Sequence, residues 1–321
     1  MDSTGIPIVD MSKLRGPWPE RPAAIHDLGR ACQTTGFFQV VNHGICAEVL
    51  HGALDAATAF FNLPTEDKSG LVSDDIRQPV RYSTVSEVDD DGEVKIRRHV
   101  LKQYSRPLET WIHKWPSEPI HYREKMATLA AEMWRLVSEL AEAVTESLGL
   151  GRGYLASRMD RGFEMMALNY YPPCQDVAGA VCCAPHTDYT LLTVLLASQQ
   201  GLEYFHRESG SWRPAPAGSS TLLVHVGNYL EVLSNGRYRA ALHRVVSRPG
   251  AAARVSVASL PSFAMDESVE VAEELVEDGH PPLYRGSTLS EFIEFLSAGT
   301  RGRDFMEQSL KITGHKMHSD P

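Results

Sequence analysis

Two side chains that bind metals, His186 and Asp188, stand two positions apart just before the run Thr190 to Leu196. That run is apolar and rich in β-branched residues, which predicts a buried strand. In an extended segment, residues two positions apart project from the same face. An imidazole and a carboxylate placed in this way can occupy adjacent positions on a metal ion, provided that a third ligand comes from another strand. His243 is the candidate for that third ligand.

Two histidines and one carboxylate on one face of an octahedral ion leave three positions open, which is the arrangement of non-haem Fe(II) oxygenases. Zinc accepts the same ligands, so these residues alone leave the metal undecided. Cys183, three positions before His186, allows a Cys/His zinc site as an alternative. The sequence has no second cysteine-rich half to complete such a site, so we expect Cys182 and Cys183 to pack in the core or line a pocket.

Arg254 and Ser256 form a second pair of residues that could bind a ligand. They lie in a run to Leu260 that again predicts a strand. A guanidinium beside a hydroxyl on one strand face suits a carboxylate. A buried arginine in a β core needs an anionic partner, and a dicarboxylate co-substrate would provide one. Tyr171 lies in a segment that ends a predicted strand with two prolines, and its hydroxyl could bind the same carboxylate.

Taken in order, these motifs resemble the plant family of Fe(II)- and 2-oxoglutarate-dependent dioxygenases. The motifs are NYYPPC at 169–174, HTD at 186–188, SNGRY at 234–238, HRVV at 243–246 and RVS at 254–256. The segments 6–10 and 36–44 resemble the N-terminal region of the same family. Each short motif is weak by itself, but their order over nearly the whole chain is specific.

The resemblance implies a set of cofactors and the residues that hold them. The Fe(II) ligands are His186, Asp188 and His243. The residues for 2-oxoglutarate are Arg254, Ser256 and Tyr171 at its far carboxylate and Asn169 near its metal-bound end. Ascorbate is implied as the supporting reductant, O2 as co-substrate, and succinate and CO2 as products. The implied fold is mainly β, a double-stranded β-helix or jelly roll with flanking helices and one long helix packed on the outside.

The resemblance also implies where an organic substrate binds. In this family the pocket is lined by the N-terminal region, the strand before the metal motif and the residues after the Arg-x-Ser pair. The candidates are Tyr82, Val100, Lys102, Ala167, Leu260 and Phe263. Because the set is largely apolar, the first hypothesis is hydroxylation of a flavonoid or related phenolic, as in flavanone 3-hydroxylase-like members. The alternatives are oxidation of a hormone or indole compound of the auxin, gibberellin, salicylate or melatonin type, and a catalytically silent ligand-binding protein.

Composition narrows the classes of partner. The chain has 321 residues and a formal net charge of −10, which argues against nucleic acid and acidic membrane surfaces as partners. The longest apolar run is far short of the roughly 20 residues that cross a bilayer. Five cysteines are an odd and unexceptional number, and no apolar signal segment precedes Ile6. We therefore expect a cytoplasmic monomer that binds small molecules.

Periodicity predicts the order of the elements. Helices are predicted at 22–32, 48–61, 122–148 and 289–296. Strands are predicted at 36–41, 163–171, 190–197, 202–206, 221–226, 237–246 and 254–260. Many short strands parted by turn residues favour a sandwich or barrel. His225, inside one of these strands, is expected to be a core histidine bound to the backbone.

The remaining segments lack clear periodicity. The polar segment 72–98, with the acidic run 87–93, is expected to be a solvated hairpin or loop, and the alternative is a lid over the pocket. The tail after the last helix is expected to fray. We predict an N-terminal α/β region, 1–105, that contributes to the pocket, and a jelly-roll catalytic region with a C-terminal helix, 106–321, within one compact unit.

Overall fold

The computed structural model of the chain describes residues 5–88, 94–173, 179–218, 221–248, 250–277, 279–298 and 302–312. The strands are β1 (Ile8–Asp10), β2 (Phe37–Val41), β3 (Val80–Val88), β4 (Val94–Arg106), β5 (Phe163–Tyr171), β6 (Val181–His186), β7 (Leu192–Ala197), β8 (Leu202–His206), β9 (Ser211–Pro214), β10 (Leu222–Val226), β11 (His243–Val246) and β12 (Arg254–Ser262). The α-helices are α1 (Met11–Leu14), α2 (Glu20–Thr34), α3 (Ala47–Phe61), α4 (Thr65–Ser69), α5 (Leu108–Trp111), α6 (Tyr122–Ser147), α7 (Ala156–Asp160), α8 (Asn228–Leu233), α9 (Leu289–Ser297) and α10 (Gly302–Phe305).

Two sheets face each other. Within the described residues the larger sheet has the strand order β1-β2-β10-β7-β12-β5-β4-β3, and the smaller one has the order β6-β11-β8-β9. Apolar side chains of both sheets, among them Ala167, Leu195, Tyr204 and Val245, meet in one buried cluster. The architecture is the expected double-stranded β-helix, mainly β with flanking helices.

Helices cover the outer face of the larger sheet. The long helix α6 packs against α2 and α3 and against strands β7 and β12. Its apolar stripe, which includes Met126, Met133 and Leu140, is fully buried. On its exposed side Arg135 pairs with Glu132 and Glu139, each at 2.8 Å. The predicted packing of this helix is confirmed.

Register in the larger sheet brings side chains of four strands into common rows. Lys102 of β4 pairs with Arg81 of β3 on one side and with Ala167 of β5 on the other. Ala167 in turn pairs with Ala258 of β12. Side chains alternate between the two faces of a strand, so each such row lies on one face of the sheet. This register determines which residues reach the interior between the sheets.

Most predicted elements are present, and the exceptions have identifiable causes. The segment 237–242, predicted as strand, is irregular, because Ser234 and its neighbours form a turn in which the Ser234 hydroxyl accepts from Tyr238 N at 3.0 Å. Strands β6 and β9 and the short helices α1, α4, α5, α7, α8 and α10 were not predicted, and β3 and β4 were expected only as a hairpin or loop. The tail was expected to fray after α9, but residues 302–310 are helical, with a π-helix at Met306–Leu310. Residues 313–321 lie outside the described residues.

The polar segment 72–98 forms most of the β3–β4 hairpin, whose strands are full members of the larger sheet. The acidic run lies partly at 89–93, outside the described residues. Because β4 runs to Arg106 and pairs with β5, the sheet continues across the predicted boundary after residue 105. No helix in the described part of the chain is long and apolar enough to span a membrane.

Candidate active site

The three predicted metal ligands converge at one end of the space between the sheets. His186 is the last residue of β6 and His243 the first of β11, and these two residues are direct antiparallel partners. Asp188 lies in the connection from β6 to β7. One ligand atom from each of the three residues lies within 4.8 Å of the others. The expectation that His186 and Asp188 share one strand face is wrong in detail, because the strand ends at His186 and the chain then crosses to the other sheet.

Backbone contacts fix which imidazole nitrogens face the cluster. The Nδ1 atom of His186 lies 2.8 Å from the carbonyl of Ala184, and that of His243 lies 2.9 Å from the carbonyl of Ala241. A carbonyl only accepts, so in both rings Nδ1 carries the proton and donates. The Nε2 atoms on the other side of each ring therefore point at Asp188 Oδ1, at 3.7 and 3.9 Å. Two imidazole nitrogens and one carboxylate oxygen facing a common point form a donor set that fits Fe(II).

The second oxygen of Asp188 is held by the protein. Thr193 donates to Oδ2 at 2.8 Å, and Nε2 of His225 lies 3.5 Å from the same oxygen. Burial by itself would raise the pKa of Asp188, but His243, His225, His186 and the Thr193 hydrogen bond lower it well below its usual range. The carboxylate is therefore ionised at neutral pH.

His225 is buried, as expected, but its Nδ1 atom has no hydrogen-bond partner among the described residues, so the expected bond to the backbone is not formed there. Its ring lies 4.5 Å from the ring of His243 and lines the same cavity as the ligands. Burial and the neighbouring His243 lower its pKa to about 3, so this imidazole is neutral. Its position beside the triad follows from the register of β10 and β7, which pairs His225 with Thr193, the residue that donates to Asp188. Reading each strand alone did not reveal that pairing.

The segment that carries Asp188 is anchored by the turn after β10. Asn228 N donates to the carbonyl of Asp188 at 2.8 Å, and Gly227 N donates to Leu191 O at 3.1 Å. A Cβ atom on Gly227 would lie 2.2 Å from Thr190 O, so only glycine permits this approach. The turn thereby fixes the position of the carboxylate relative to the two histidines.

A second polar group lies deeper in the same cavity. Arg254 of β12 is buried, and its Nη1 donates to Ser256 Oγ and its Nε to Gln199 O, each at 3.1 Å. Its guanidinium carbon lies 5.1 Å from the ring of Tyr171, the residue paired with it on β5. No described carboxylate forms an ion pair with Arg254. A buried guanidinium with neutral partners and free donors fits an incoming carboxylate such as that of 2-oxoglutarate.

Asn169, the fourth residue expected at 2-oxoglutarate, also lines the cavity. It pairs with Ser256 in the sheet, and its side-chain oxygen accepts from Arg98 Nη1 at 3.3 Å. The cavity that holds the triad, Arg254 and Asn169 has a volume of about 900 Å³. This volume accommodates an organic molecule of drug-like size together with a small co-substrate.

Of the six expected substrate contacts, Lys102, Ala167 and Leu260 line this cavity. The structure places Tyr82, Val100 and Phe263 elsewhere. Tyr82 lies on the opposite face of β3 from Arg81, where its hydroxyl bonds His99 Nδ1 at 2.8 Å. Phe263 follows the end of β12 and stacks on Tyr229 in the core. Val100 is buried within β4 and does not line the cavity.

Sequence reasoning missed several residues of the wall. They are Arg81, Arg98, Tyr104, Phe163, Met165 and, from the C-terminal part of the chain, Leu289, Phe292, Ile293, Leu296 and Asp304. The alternation of Arg98, Lys102 and Tyr104 in β4 was a usable signal for one inward face. Cys183 lines the cavity and Cys182 is buried, as expected; the Sγ atom of Cys183 lies 3.8 Å from His186 Nδ1.

Comparison with known proteins agrees with this geometry. Residues 6–118 match the family model described as non-haem dioxygenase in morphine synthesis N-terminal, and residues 162–260 match that of the 2OG-Fe(II) oxygenase superfamily. The chain is 44% identical over 308 residues to 2-oxoglutarate-dependent dioxygenase 21, chloroplastic, of Oryza sativa subsp. japonica, covering 96% of this chain and 91% of the relative. It is 41% identical over 310 residues to flavanone 3-dioxygenase 3 of the same organism, covering 96% and 93%.

Among solved structures, the chain resembles that of JOX2 in complex with 2OG, Fe and JA. The TM-score is 0.83 with 25% sequence identity, and the match covers 96% of this chain and 89% of that one.

Proposed function

The chain belongs to the 2OG-Fe(II) oxygenase superfamily, and from this premise we propose that it hydroxylates a flavonoid or a related flat phenolic. The chain is a 2-oxoglutarate-dependent dioxygenase, an oxidoreductase that uses Fe(II), 2-oxoglutarate and O2, with ascorbate as the supporting reductant typical of the family. The observation that carries the proposal is that the donor triad and Arg254 open into one cavity of about 900 Å³ whose other walls are largely apolar.

The proposed division of work follows from the contacts. His186, Asp188 and His243 hold Fe(II), and their partners at Ala184, Ala241 and Thr193 keep the donor atoms oriented. Arg254, Ser256 and Tyr171 bind the far carboxylate of 2-oxoglutarate, and Asn169 lies near its other end. Bound together, the iron and the oxoacid supply O2-dependent oxidation with release of succinate and CO2. The protein supplies orientation and exclusion of water.

The proposed substrate surface consists of Lys102, Ala167 and Leu260 together with aromatic and apolar residues of the wall. Tyr104, Phe163 and Met165 lie on β4 and β5 beside these residues. Phe292 and Ile293 of α9 add apolar area from the C-terminal side. A flat ring system buries its faces well against such residues. The likeness to flavanone 3-dioxygenase 3 supports the phenolic class.

The test is product profiling. Purified protein is supplied with Fe(II), ascorbate, 2-oxoglutarate and O2 and is offered flavanones, other phenolics, indoles and hormone acids in parallel. We expect succinate to form with a flavonoid or phenolic, together with a product that contains one more oxygen atom. Turnover confined to indole or hormone acids would replace the proposal with the second hypothesis. Tight ligand binding without succinate from any compound would favour the silent binding protein.

We further propose that the chain acts as a cytoplasmic monomer in which 1–105 and 106–321 form two regions of one unit. The continuous sheet across β4 and β5 supports the single unit. The rice relative that is 44% identical carries the word chloroplastic in its name, so localisation of a tagged chain should compare both compartments. Light scattering of the purified protein gives the oligomeric state.

A further inference from the structure

Lys102 is a cation in the cavity wall with no hydrogen-bond or ion-pair partner in the described part of the chain. It lies in the middle of β4, is partly buried and lines the cavity. Among the described residues, none forms a hydrogen bond or an ion pair with its ammonium group. Burial, with Arg81 and Arg98 nearby, lowers the pKa of Lys102 to about 8. A buried ammonium group normally has an anion or several acceptors in contact with it. Asp188 acts on Lys102 to raise its pKa but forms no ion pair with it, so no described residue supplies such a contact.

The two neighbouring arginines carry the same positive charge as Lys102. Asp75 raises the pKa of Arg81 but forms no ion pair with it. Arg81, paired with Lys102 across β3 and β4, donates to the backbone carbonyl of Gln78 at 3.0 Å. Arg98 donates to the side-chain oxygen of Asn169 at 3.3 Å. Both partners are uncharged, and neither guanidinium forms an ion pair with a described carboxylate. Three positive charges therefore face one part of the cavity.

Binding of the cofactors does not neutralise the positive charge of Arg81, Arg98 and Lys102. Fe(II), the dianion 2-oxoglutarate, Asp188 and Arg254 together have zero formal charge when the two histidines are neutral. The charged side chains that remain on the described wall are Arg81, Arg98, Lys102 and Asp304. Asp304 lies on α10 and forms no ion pair with a described residue. The cavity thus keeps an excess of positive charge after both cofactors are bound.

The residues that follow Lys102 across the sheet are small or apolar. In the sheet, Lys102 is followed by Ala167, Ala258 and Leu195, one residue from each successive strand. All four line the cavity. The two alanines leave a shallow apolar floor between the ammonium group and the opposite wall. A flat ring can lie on this floor with one end at Lys102.

We infer that the organic substrate carries an anionic group, a carboxylate or an ionised phenol, that binds Lys102 with Arg81 beside it. The ring system attached to that group lies over Ala167 and Ala258. Desolvated charge-assisted hydrogen bonds are strong enough to select such acids over neutral molecules of the same shape. The inference rests on the proposed function only in taking this cavity as the place where the organic substrate binds.

The test compares acids with neutral isosteres on the holoprotein without O2. Protein saturated with Fe(II) and 2-oxoglutarate is titrated calorimetrically with two matched pairs. One pair is 4-hydroxybenzoate and 4-hydroxybenzamide, and the other is 4-nitrophenol, an acidic phenol that is largely ionised below the pKa of Lys102, and 4-nitroanisole. We expect at least one anion to bind roughly tenfold or more tightly than its neutral partner. The pair that shows the preference identifies the acid as carboxylate or phenolate.

Three variants assign the preference to the side chain. Lys102→Met keeps the length of the side chain and removes the charge, so it should abolish the preference while 2-oxoglutarate binds as before. Lys102→Arg keeps the cation, so its preference for the anion over the neutral partner should stay within a few-fold of the parent's. Lys125→Met, at an exposed lysine of α6, is the matched control and should behave as the parent. If Lys102→Arg also loses the preference while remaining folded by circular dichroism, the cation is not the cause and the inference fails.

The inference and the proposed function fail separately. Equal binding of acids and neutral isosteres by the parent protein overturns the inference, even if a neutral phenolic is hydroxylated. Loss of 2-oxoglutarate binding in Lys102→Met also overturns it, because the lysine would then serve the co-substrate. A preference for acids that depends on Lys102, in a protein that oxidises no phenolic, upholds the inference and rejects the proposed function.

Discussion

Replacing Arg254 by methionine should weaken the binding of 2-oxoglutarate and leave the binding of the organic substrate nearly unchanged. The guanidinium is buried, and its partners at Gln199 and Ser256 are neutral, so donors remain for a carboxylate. Each hydrogen bond between charged groups contributes roughly 1.5–3 kcal/mol. Two such bonds to one carboxylate amount to about 3 kcal/mol or more, which is more than a hundredfold in affinity. We expect Arg254→Met to weaken 2-oxoglutarate binding by at least that factor.

The assay is calorimetric titration of the Fe(II) protein with 2-oxoglutarate in the absence of O2, followed by steady-state kinetics in both substrates. The KM for 2-oxoglutarate should rise steeply, and the KM for the organic substrate should change by no more than a few-fold. Arg248→Met, at an exposed arginine close in sequence, is the control. Unchanged affinity for 2-oxoglutarate, or equal rises in both KM values, would refute the assignment of Arg254.

Three further outcomes are expected. His243→Ala should remove Fe(II) binding in equilibrium dialysis while circular dichroism stays that of the parent; a variant that keeps one tightly bound iron contradicts the triad. Ala167→Leu fills the cavity floor and should raise the KM for the organic substrate roughly tenfold with the KM for 2-oxoglutarate unchanged, and a rise in the latter instead would place Ala167 at the co-substrate. Lys102 has a folded-state pKa of about 8 against 10.5 for an ordinary lysine, so the unfolded chain binds more protons between these values. Urea titrations give the unfolding free energy of the parent and of Lys102→Met, and the parent's value relative to the variant's should therefore rise from pH 8 to pH 10.5. If this difference stays flat or falls, the folded protein does not lower the pKa of Lys102.

The metal site was predictable because histidine and aspartate are residue types that bind metals. Histidine and aspartate two positions apart are a weak signal by themselves, but together with His243, the Arg254–Ser256 pair and the order of the motifs they indicate a metal site. The local backbone was less predictable. The period-two argument placed His186 and Asp188 on one strand, whereas the chain leaves the smaller sheet between them. The donor atoms still converge, because the turn at Gly227 holds the segment between β6 and β7 that carries Asp188.

The substrate side was less predictable, since a strand pattern shows alternation but not which face meets the cavity. Polar residues in 72–98 favoured a solvated hairpin, yet Arg81 and Arg98 face the interior. The family resemblance assigned Tyr82 to the pocket, whereas its neighbour Arg81 lines the cavity. Register resolves which face meets the cavity, because Arg81, Lys102 and Ala167 align across three strands only once β3, β4 and β5 are paired. Long-range pairing of this kind is not encoded in any single segment.

The measurement that tests the central claim most directly is anomalous diffraction at the iron edge, from crystals prepared with Fe(II) and 2-oxoglutarate without O2. We predict one strong peak per chain within bonding distance of His186 Nε2, His243 Nε2 and a carboxylate oxygen of Asp188, with the oxoacid extending from the metal towards Arg254. A peak bound through Cys183, or an iron site that omits His243, would contradict the account.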